Sequence, residues 1–170
     1  LIPPRGVGED GAQRLVDAHQ DPHARPQIAV DPAGNATVIA FGDGASPSGR
    51  VTTRRYLAGT EWLGVGSIGT DTGYPGGLPG IAVDADGNVY VTGASSATWG
   101  SPRRGHTLGT NDAFAAKLDS DGFLTWNTFL GGIGEDKGYG IAVDGSGNVY
   151  VAGNSSADWG SPIRAYFGNQ

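Results

Sequence analysis

The sequence contains no cysteine and no methionine, and it has only two lysines and three glutamates among its 170 residues. Without cysteine the chain has no disulfide, no thiolate metal site and no cysteine nucleophile. Helix-forming runs are too few for an all-helical protein. No apolar run reaches the length of a membrane-spanning helix. The net charge of −6 argues against nucleic acid as a partner, because binding phosphates needs a dense basic surface.

Turn-forming residues are abundant instead. Glycine and proline number 31 and 10, about 24% of the chain, against roughly 12% in ordinary usage. Fourteen of the 17 acidic residues are aspartate, which favours turns where glutamate favours helices. This composition predicts short β-strands joined by many tight turns.

A repeat is the strongest signal in the sequence. Residues 80–102 and 140–162 are identical at 18 of 23 positions, with an offset of 60 residues. A fainter copy, IAVDPAGNATVIAFG, begins at Ile28. A repeat of this length is typical of propeller blades or solenoid units.

Each repeat divides into two predicted hairpins. The first hairpin turns at Asp-x-x-Gly, which starts at Asp31, Asp84 and Asp144, because aspartate caps a type I turn and glycine accepts its last position. The second joins residues 113–118 to 123–130, with 50–57 and 61–67 as its counterpart in the first copy. The prediction is an all-β fold made of β-propeller blades, each with four antiparallel strands.

The chain organisation follows from the repeat. Residues 26–70 and 80–131 are two predicted blades, and residues 140–170 are the first half of a third. Residues 1–25 are interpreted as a linker and remnant of a preceding blade. Propellers have about four to eight blades, so the chain is expected to be part of a larger propeller of about 6–8 blades. Exposed blade edges are expected to pair with the remaining blades or with another copy.

The blocks DAFAAKLDSDGFLTWNTFLGG, GIGEDKGYGIAVDGSGNVYVAG and WGSPIRAY resemble the SBBP (bacterial β-propeller) repeat family. The resemblance is dense over residues 80–170 and weaker over residues 26–70. In the first copy, Arg54-Arg55-Tyr56 replaces Ala116-Lys117-Leu118, which leaves the register of that hairpin open. The family implies a secreted or surface-attached bacterial propeller, usually without a known reaction.

Long connections between the strands hold the candidate binding residues, since recognition residues usually lie on long loops of a rigid scaffold. The recurrent Trp-Gly-Ser-Pro and its charged neighbours suggest notches for sugars or peptides, although recurrence at the blade period favours each tryptophan as a wedge between neighbouring blades. The candidates are Trp99, Arg103, Arg104, His106, Glu135, Asp136, Tyr139, Trp159 and Arg164.

Calcium is the only cofactor that the sequence suggests, and turn chemistry explains its candidate ligands better. Residues 131–136 match the start of a calcium-binding glycine repeat, but Gly138 stands where that repeat has a large apolar residue. The calcium candidates are Asp84, Asp86, Asp119, Asp121 and Asp136. Two Gly-x-Gly-x-x-Gly strings lack the strand and helix of a dinucleotide site, and His19 and His23 are separated by Pro22.

Two functions remain open. The first is a non-catalytic scaffold or adhesion module, secreted or at the bacterial cell surface, that binds a protein or a polysaccharide through its long loops. It rests on the repeat, the acidity and the absence of a visible catalytic constellation. The alternative is part of a propeller hydrolase or lyase with its active site in the central channel, which the fold alone does not exclude.

Overall fold

The structure is a computed structural model that describes residues 27–41, 49–57, 62–72, 80–107 and 110–161. These ranges contain β-strands and no helix, so the predicted all-β fold is confirmed. The strands are β1 (Gln27–Val30), β2 (Ala36–Phe41), β3 (Gly49–Tyr56), β4 (Trp62–Thr72), β5 (Gly80–Val83), β6 (Val89–Ser95), β7 (Asp112–Leu118), β8 (Leu124–Leu130), β9 (Asp136–Val143) and β10 (Val149–Ser155). The predicted remnant at residues 1–25 lies outside the described residues.

The strands form three antiparallel sheets in chain order. Blade 1 is β1-β2-β3-β4, blade 2 is β5-β6-β7-β8, and the described part of blade 3 is the pair β9-β10. Within the described ranges β1 lies next to β5 and β5 next to β9, so the first strands of successive sheets are neighbours. This is the arrangement expected when four-stranded blades share a common axis.

The register of the divergent first blade matches that of blade 2. Tyr56 pairs with Ala36 just as Leu118 pairs with Val89, although the local sequences differ. Blade 1 has two register shifts between its third and fourth strands, and the one between Arg54 and Arg55 lies one position earlier than the shift in blade 2. The substitution of Arg-Arg-Tyr therefore moves a β-bulge and leaves the preceding pairing intact.

The aspartate turns form as predicted. In the β5–β6 turn the Gly87 N–H donates to the Asp84 carbonyl at 3.1 Å, and Gly87 has a φ of 79°. The Asp84 carboxylate accepts bonds from the Asp86 and Asn88 backbone N–H groups, the Asn88 side chain and the Tyr90 hydroxyl. Asp144 accepts the equivalent four bonds in blade 3. The first aspartate of each turn is therefore its structural centre.

These hydrogen bonds lower the pKa of the turn aspartates. At Asp144 the bonds from Asn148 lower the pKa most. Partial burial raises the pKa of Asp84, but the bonds from Asn88, Tyr90 and Asp86 together outweigh that effect and hold it below its ordinary value. A carboxylate whose pKa is lower in the folded than in the unfolded chain stabilises the fold above its unfolded pKa, and that stabilisation is lost as the pH falls.

We therefore expect the melting temperature of the chain to fall as the pH is lowered from about 5 to about 3, the range in which free aspartate takes up its proton. Calorimetry across this range measures the effect. Asp144→Asn should flatten the dependence of the melting temperature on pH, because the asparagine side chain carries no charge at any of these pH values. Asp86→Asn changes the second acid of a turn and serves as the control. Equal pH profiles for both variants and the parent chain would contradict the prediction.

Blades 1 and 2 share an apolar core. Ile39 of β2 clusters with buried side chains from three strands of blade 2 and from its β6–β7 loop. Those side chains are Val89, Val91, Trp99, Phe114, Ala116, Leu118 and Phe129. Alternate residues of each strand point to the same side of a sheet, which explains why these positions recur at intervals of two.

The opposite side of blade 2 packs against blade 3 at glycines. Thr92 is fully buried there, and its hydroxyl donates to the Phe114 carbonyl at 2.6 Å. A Cβ on Gly138 would overlap the Thr92 hydroxyl, and a Cβ on Gly80 would lie 2.9 Å from the Gly140 Cα. The close approach of β9 to β6 thus explains why residue 138 is glycine.

The outer edge of β8 is partly covered by the chain's own β6–β7 loop. The Arg103 N–H donates to the Asn127 carbonyl at 2.9 Å, and the Phe129 N–H donates to the Arg104 carbonyl at 3.0 Å. Covering an edge strand with a loop is a common protection against pairing with other chains. The expectation of an open edge is therefore wrong for this part of β8.

Candidate functional site

The long connections meet at one end of blades 2 and 3. We call residues 96–107, 110–111, 131–135 and 156–161 the long-loop face. The Thr110 hydroxyl donates to the Gly134 carbonyl, the Asp136 N–H to the Asn111 carbonyl at 2.8 Å, and the Ser156 N–H to the Glu135 carbonyl at 3.1 Å. The three connections therefore form one continuous surface, at the strand ends opposite the aspartate turns.

Trp99 of this face lies in the core. Its side chain is 4% exposed, and its ring meets Phe114 and Phe129 edge to face, with centroids 5.2 and 6.0 Å apart. The buried Asn127 amide donates to the Trp99 carbonyl at 2.8 Å and holds the loop down. A ring this deeply buried offers no surface for a ligand.

Trp159, the equivalent residue of blade 3, is 38% exposed. The Arg104 guanidinium lies over its ring, 5.4 Å from the centroid. The same guanidinium donates to the Phe129 and Gly131 carbonyls, so Arg104 links the β6–β7 loop, the β8–β9 linker and blade 3. Arg104 and Trp159 form an exposed cation–π pair across the boundary between blades.

Arg103 forms a second cation–π pair that the sequence analysis missed. Its guanidinium lies 5.3 Å from the centroid of Trp126 on β8, and the Trp126 ring meets Tyr90 edge to face at 6.4 Å. Trp126 is one residue before Asn127, whose carbonyl accepts the Arg103 N–H. The pairing of the β6–β7 loop with the edge of β8 therefore brings the Arg103 and Trp126 side chains together. The pairing of the β6–β7 loop with β8 has no local sequence signal, so the contact between Arg103 and Trp126 could not be found from the sequence.

His106, Glu135 and Tyr139 are placed differently from one another. The His106 ring packs edge to face on Phe129 at 5.6 Å, and its Nε2 lies 2.8 Å from the Thr110 carbonyl oxygen. Glu135 is exposed and pairs with Lys137 at 2.8 Å; the hydrogen bond from Lys137 lowers the pKa of the carboxyl. Tyr139 is exposed on β9. Arg164 lies outside the described residues.

Asp136 is buried, and so is a second acid that the sequence analysis did not select, Asp112. The Asp136 carboxylate accepts the Gly132 N–H at 3.0 Å, and Asp112 accepts the Thr107 N–H at 2.7 Å. Each also has a buried oxygen, Oδ1, without a hydrogen-bond partner. A polar residue at the start of an apolar strand, as in Asn111-Asp112, is the signal that would have pointed to this position.

The remaining calcium candidates are at the opposite end of the blades. Asp84 holds its own turn and lies 3.9 Å from the Lys117 ammonium. Asp119 accepts the Asp121 and Phe123 backbone N–H groups in the same manner. Among the described residues, no group of three or more histidines and acidic residues is arranged to hold a metal ion. Nor does any helix in the described ranges have the length and apolar character needed to cross a membrane.

Comparison with known proteins identifies the repeat. The sequence model of the SBBP family, described as a beta-propeller repeat, matches residues 125–158, which run from β8 through β9 and β10. No curated protein matches the chain. The matched segment contains the β8–β9 linker, the Asp144 turn and the first half of blade 3. The resemblance inferred from the sequence is confirmed over these residues, and the chain carries an SBBP beta-propeller repeat.

Proposed function

We propose that this chain is part of a non-catalytic β-propeller scaffold, secreted or on a bacterial cell surface, that binds a polysaccharide through its long-loop face. The observation that carries the proposal is a pair of arginine–tryptophan contacts: Arg104 lies on Trp159 within the long-loop face, and Arg103 of that face lies on Trp126 of the adjoining strand β8. The SBBP repeat supports a larger propeller, with further blades completing the ring.

Chemistry favours a sugar polymer as the ligand of this face. Tryptophan rings combine a broad apolar surface with a polar edge, which suits the apolar side of a pyranose ring. Arginine presents five donors in a planar fork, which suits hydroxyl and carboxylate oxygens of the polymer.

The variants that test binding are Arg103→Glu and Trp159→Ala. Each should weaken binding of the full chain to its polysaccharide by about tenfold, the effect of losing about 1.4 kcal/mol of contact energy. An array of immobilised neutral and acidic polysaccharides, followed by surface plasmon resonance on those bound, measures the change. Arg104 is left unaltered because it also bonds two backbone carbonyls.

Asp121→Asn, at the opposite end of blade 2, is the matched control and should bind like the parent chain. Circular dichroism of each variant establishes that it is folded. Binding that survives both long-loop variants but is lost in Asp121→Asn would place the ligand at the turn end and refute the proposal. If the chain binds no polysaccharide but binds a surface protein, the proposed scaffold role stands and the proposed polysaccharide ligand is wrong.

A further inference from the structure

Two buried carboxylates converge on Gly131, where β8 passes into the β8–β9 linker. Asp112 is 0% exposed and Asp136 is 1% exposed. A Cβ added to Gly131 would lie 2.5 Å from Asp136 Oδ2 and 2.9 Å from Asp112 Oδ1. These two oxygens are therefore within about 5.4 Å of each other. Only a glycine at residue 131 leaves room for both acids.

The hydrogen bonds of the two acids are incomplete. One oxygen of each carboxylate accepts a backbone N–H, from Thr107 and Gly132 respectively. Asp112 Oδ1 and Asp136 Oδ1 are shielded from solvent and have no partner. The ion pairs of Lys117 and Lys137 involve other acids, Asp84 and Glu135. Burying a charge without a partner is costly, so a compensating cation would stabilise two such carboxylates side by side.

We propose that Asp112 and Asp136 bind a divalent cation, calcium, at the junction between blades 2 and 3. Calcium takes oxygen ligands at about 2.3–2.6 Å, so one ion can contact oxygens up to about 5 Å apart. Carboxylates are its usual anionic ligands, and loop carbonyl oxygens or internal water supply the remaining positions. The unpartnered Asp112 Oδ1 is the oxygen that faces Asp136 across Gly131.

The proposed ion would join the blades. Asp112 begins β7 of blade 2 and Asp136 begins β9 of blade 3, and the Asp136 N–H already bonds the Asn111 carbonyl. A cation shared by the two carboxylates therefore adds a second link at the same point. Calcium should raise the stability of blade 3 on blade 2, because a ligand that binds only the folded state stabilises that state.

The full chain, treated with a chelator and then titrated with calcium chloride in a calorimeter, tests the proposal. We expect heat of binding from this site and a rise of several degrees in melting temperature at saturating calcium. Asp112→Asn and Asp136→Asn should each reduce the number of bound ions by one and abolish the part of the melting shift that this site supplies. Asparagine retains an oxygen that accepts the backbone N–H, so the fold is expected to persist.

The matched control is Asp119→Asn, at the opposite end of the blade, which should bind calcium like the parent chain. Melting in chelator separates a metal site from a purely structural one. If the site binds calcium, the asparagine variants in chelator melt no lower than the parent chain, because they remove an uncompensated charge. Variants that melt lower by equal amounts with and without calcium would overturn the proposal. A parent chain that binds no calcium would overturn it also.

Discussion

Gly138→Ala should detach blade 3 from blade 2. A Cβ at residue 138 would overlap the Thr92 hydroxyl and lie 3.3 Å from the Gly93 nitrogen. Thr92 is fully buried and its hydroxyl bonds the Phe114 carbonyl, so it has no free position to which it can turn. Either that bond breaks or β9 moves away from β6. Overpacking together with a lost hydrogen bond should cost about 3 kcal/mol of unfolding free energy.

Hydrogen exchange measured by mass spectrometry distinguishes detachment from general unfolding. In Gly138→Ala the amides of β9 and β10 should lose protection while those of β6 and β7 retain it. Gly145→Ala is the matched control, since a Cβ there would meet nothing within 4 Å. A surface change of this kind usually alters stability by no more than about 0.5 kcal/mol. Equal denaturation curves for the two variants would show that the close approach at Gly138 does not limit packing.

The repeat made most of the strand order predictable. An aspartate turn contains all of its determinants within five residues, so Asp84 and Asp144 could be recognised from the sequence and bond as expected. The second hairpin of the divergent blade has no aspartate turn and was predicted only as the counterpart of residues 113–130, and its strand β4 extends to Thr72, beyond the predicted residue 67. Local patterns determine turns, whereas the length of a strand depends on what the neighbouring strand offers for pairing.

The sequence was enough to predict which connections form the long-loop face, but not which of their side chains are in contact. Arg103 and Trp126 meet because a loop pairs with the edge of β8, and Asp112 and Asp136 meet because two blades adjoin at Gly131. Both contacts depend on tertiary packing between segments distant in sequence. Trp99 and Trp159 occupy equivalent positions and differ in burial, because Trp99 is covered by Phe114 of β7 and Phe129 of β8, whereas the described part of the third sheet has only β9 and β10.

Trp99→Ala should be the most destabilising single change on the long-loop face. The ring fills the space over Phe114 and Phe129, and both of those side chains are fully buried. Removing a buried tryptophan ring typically costs about 3–5 kcal/mol, because the cavity does not fully collapse. Urea denaturation followed by circular dichroism measures the loss. The effect should be a lower midpoint with the same slope, since the surface exposed on unfolding changes little.

Trp159→Ala is the matched control, because it removes the same side chain from the equivalent position of the next copy. Its ring is 38% exposed and contacts the Arg104 guanidinium, so we expect a cost of about 1 kcal/mol or less. Trp99→Ala and Trp159→Ala should therefore differ in their effect on stability. Trp99 packs in the core, and under the proposed function Trp159 contacts the polysaccharide. A Trp99→Ala chain that is as stable as the parent but no longer binds would reverse this assignment, because it would require the Trp99 ring to leave the core and contact the ligand.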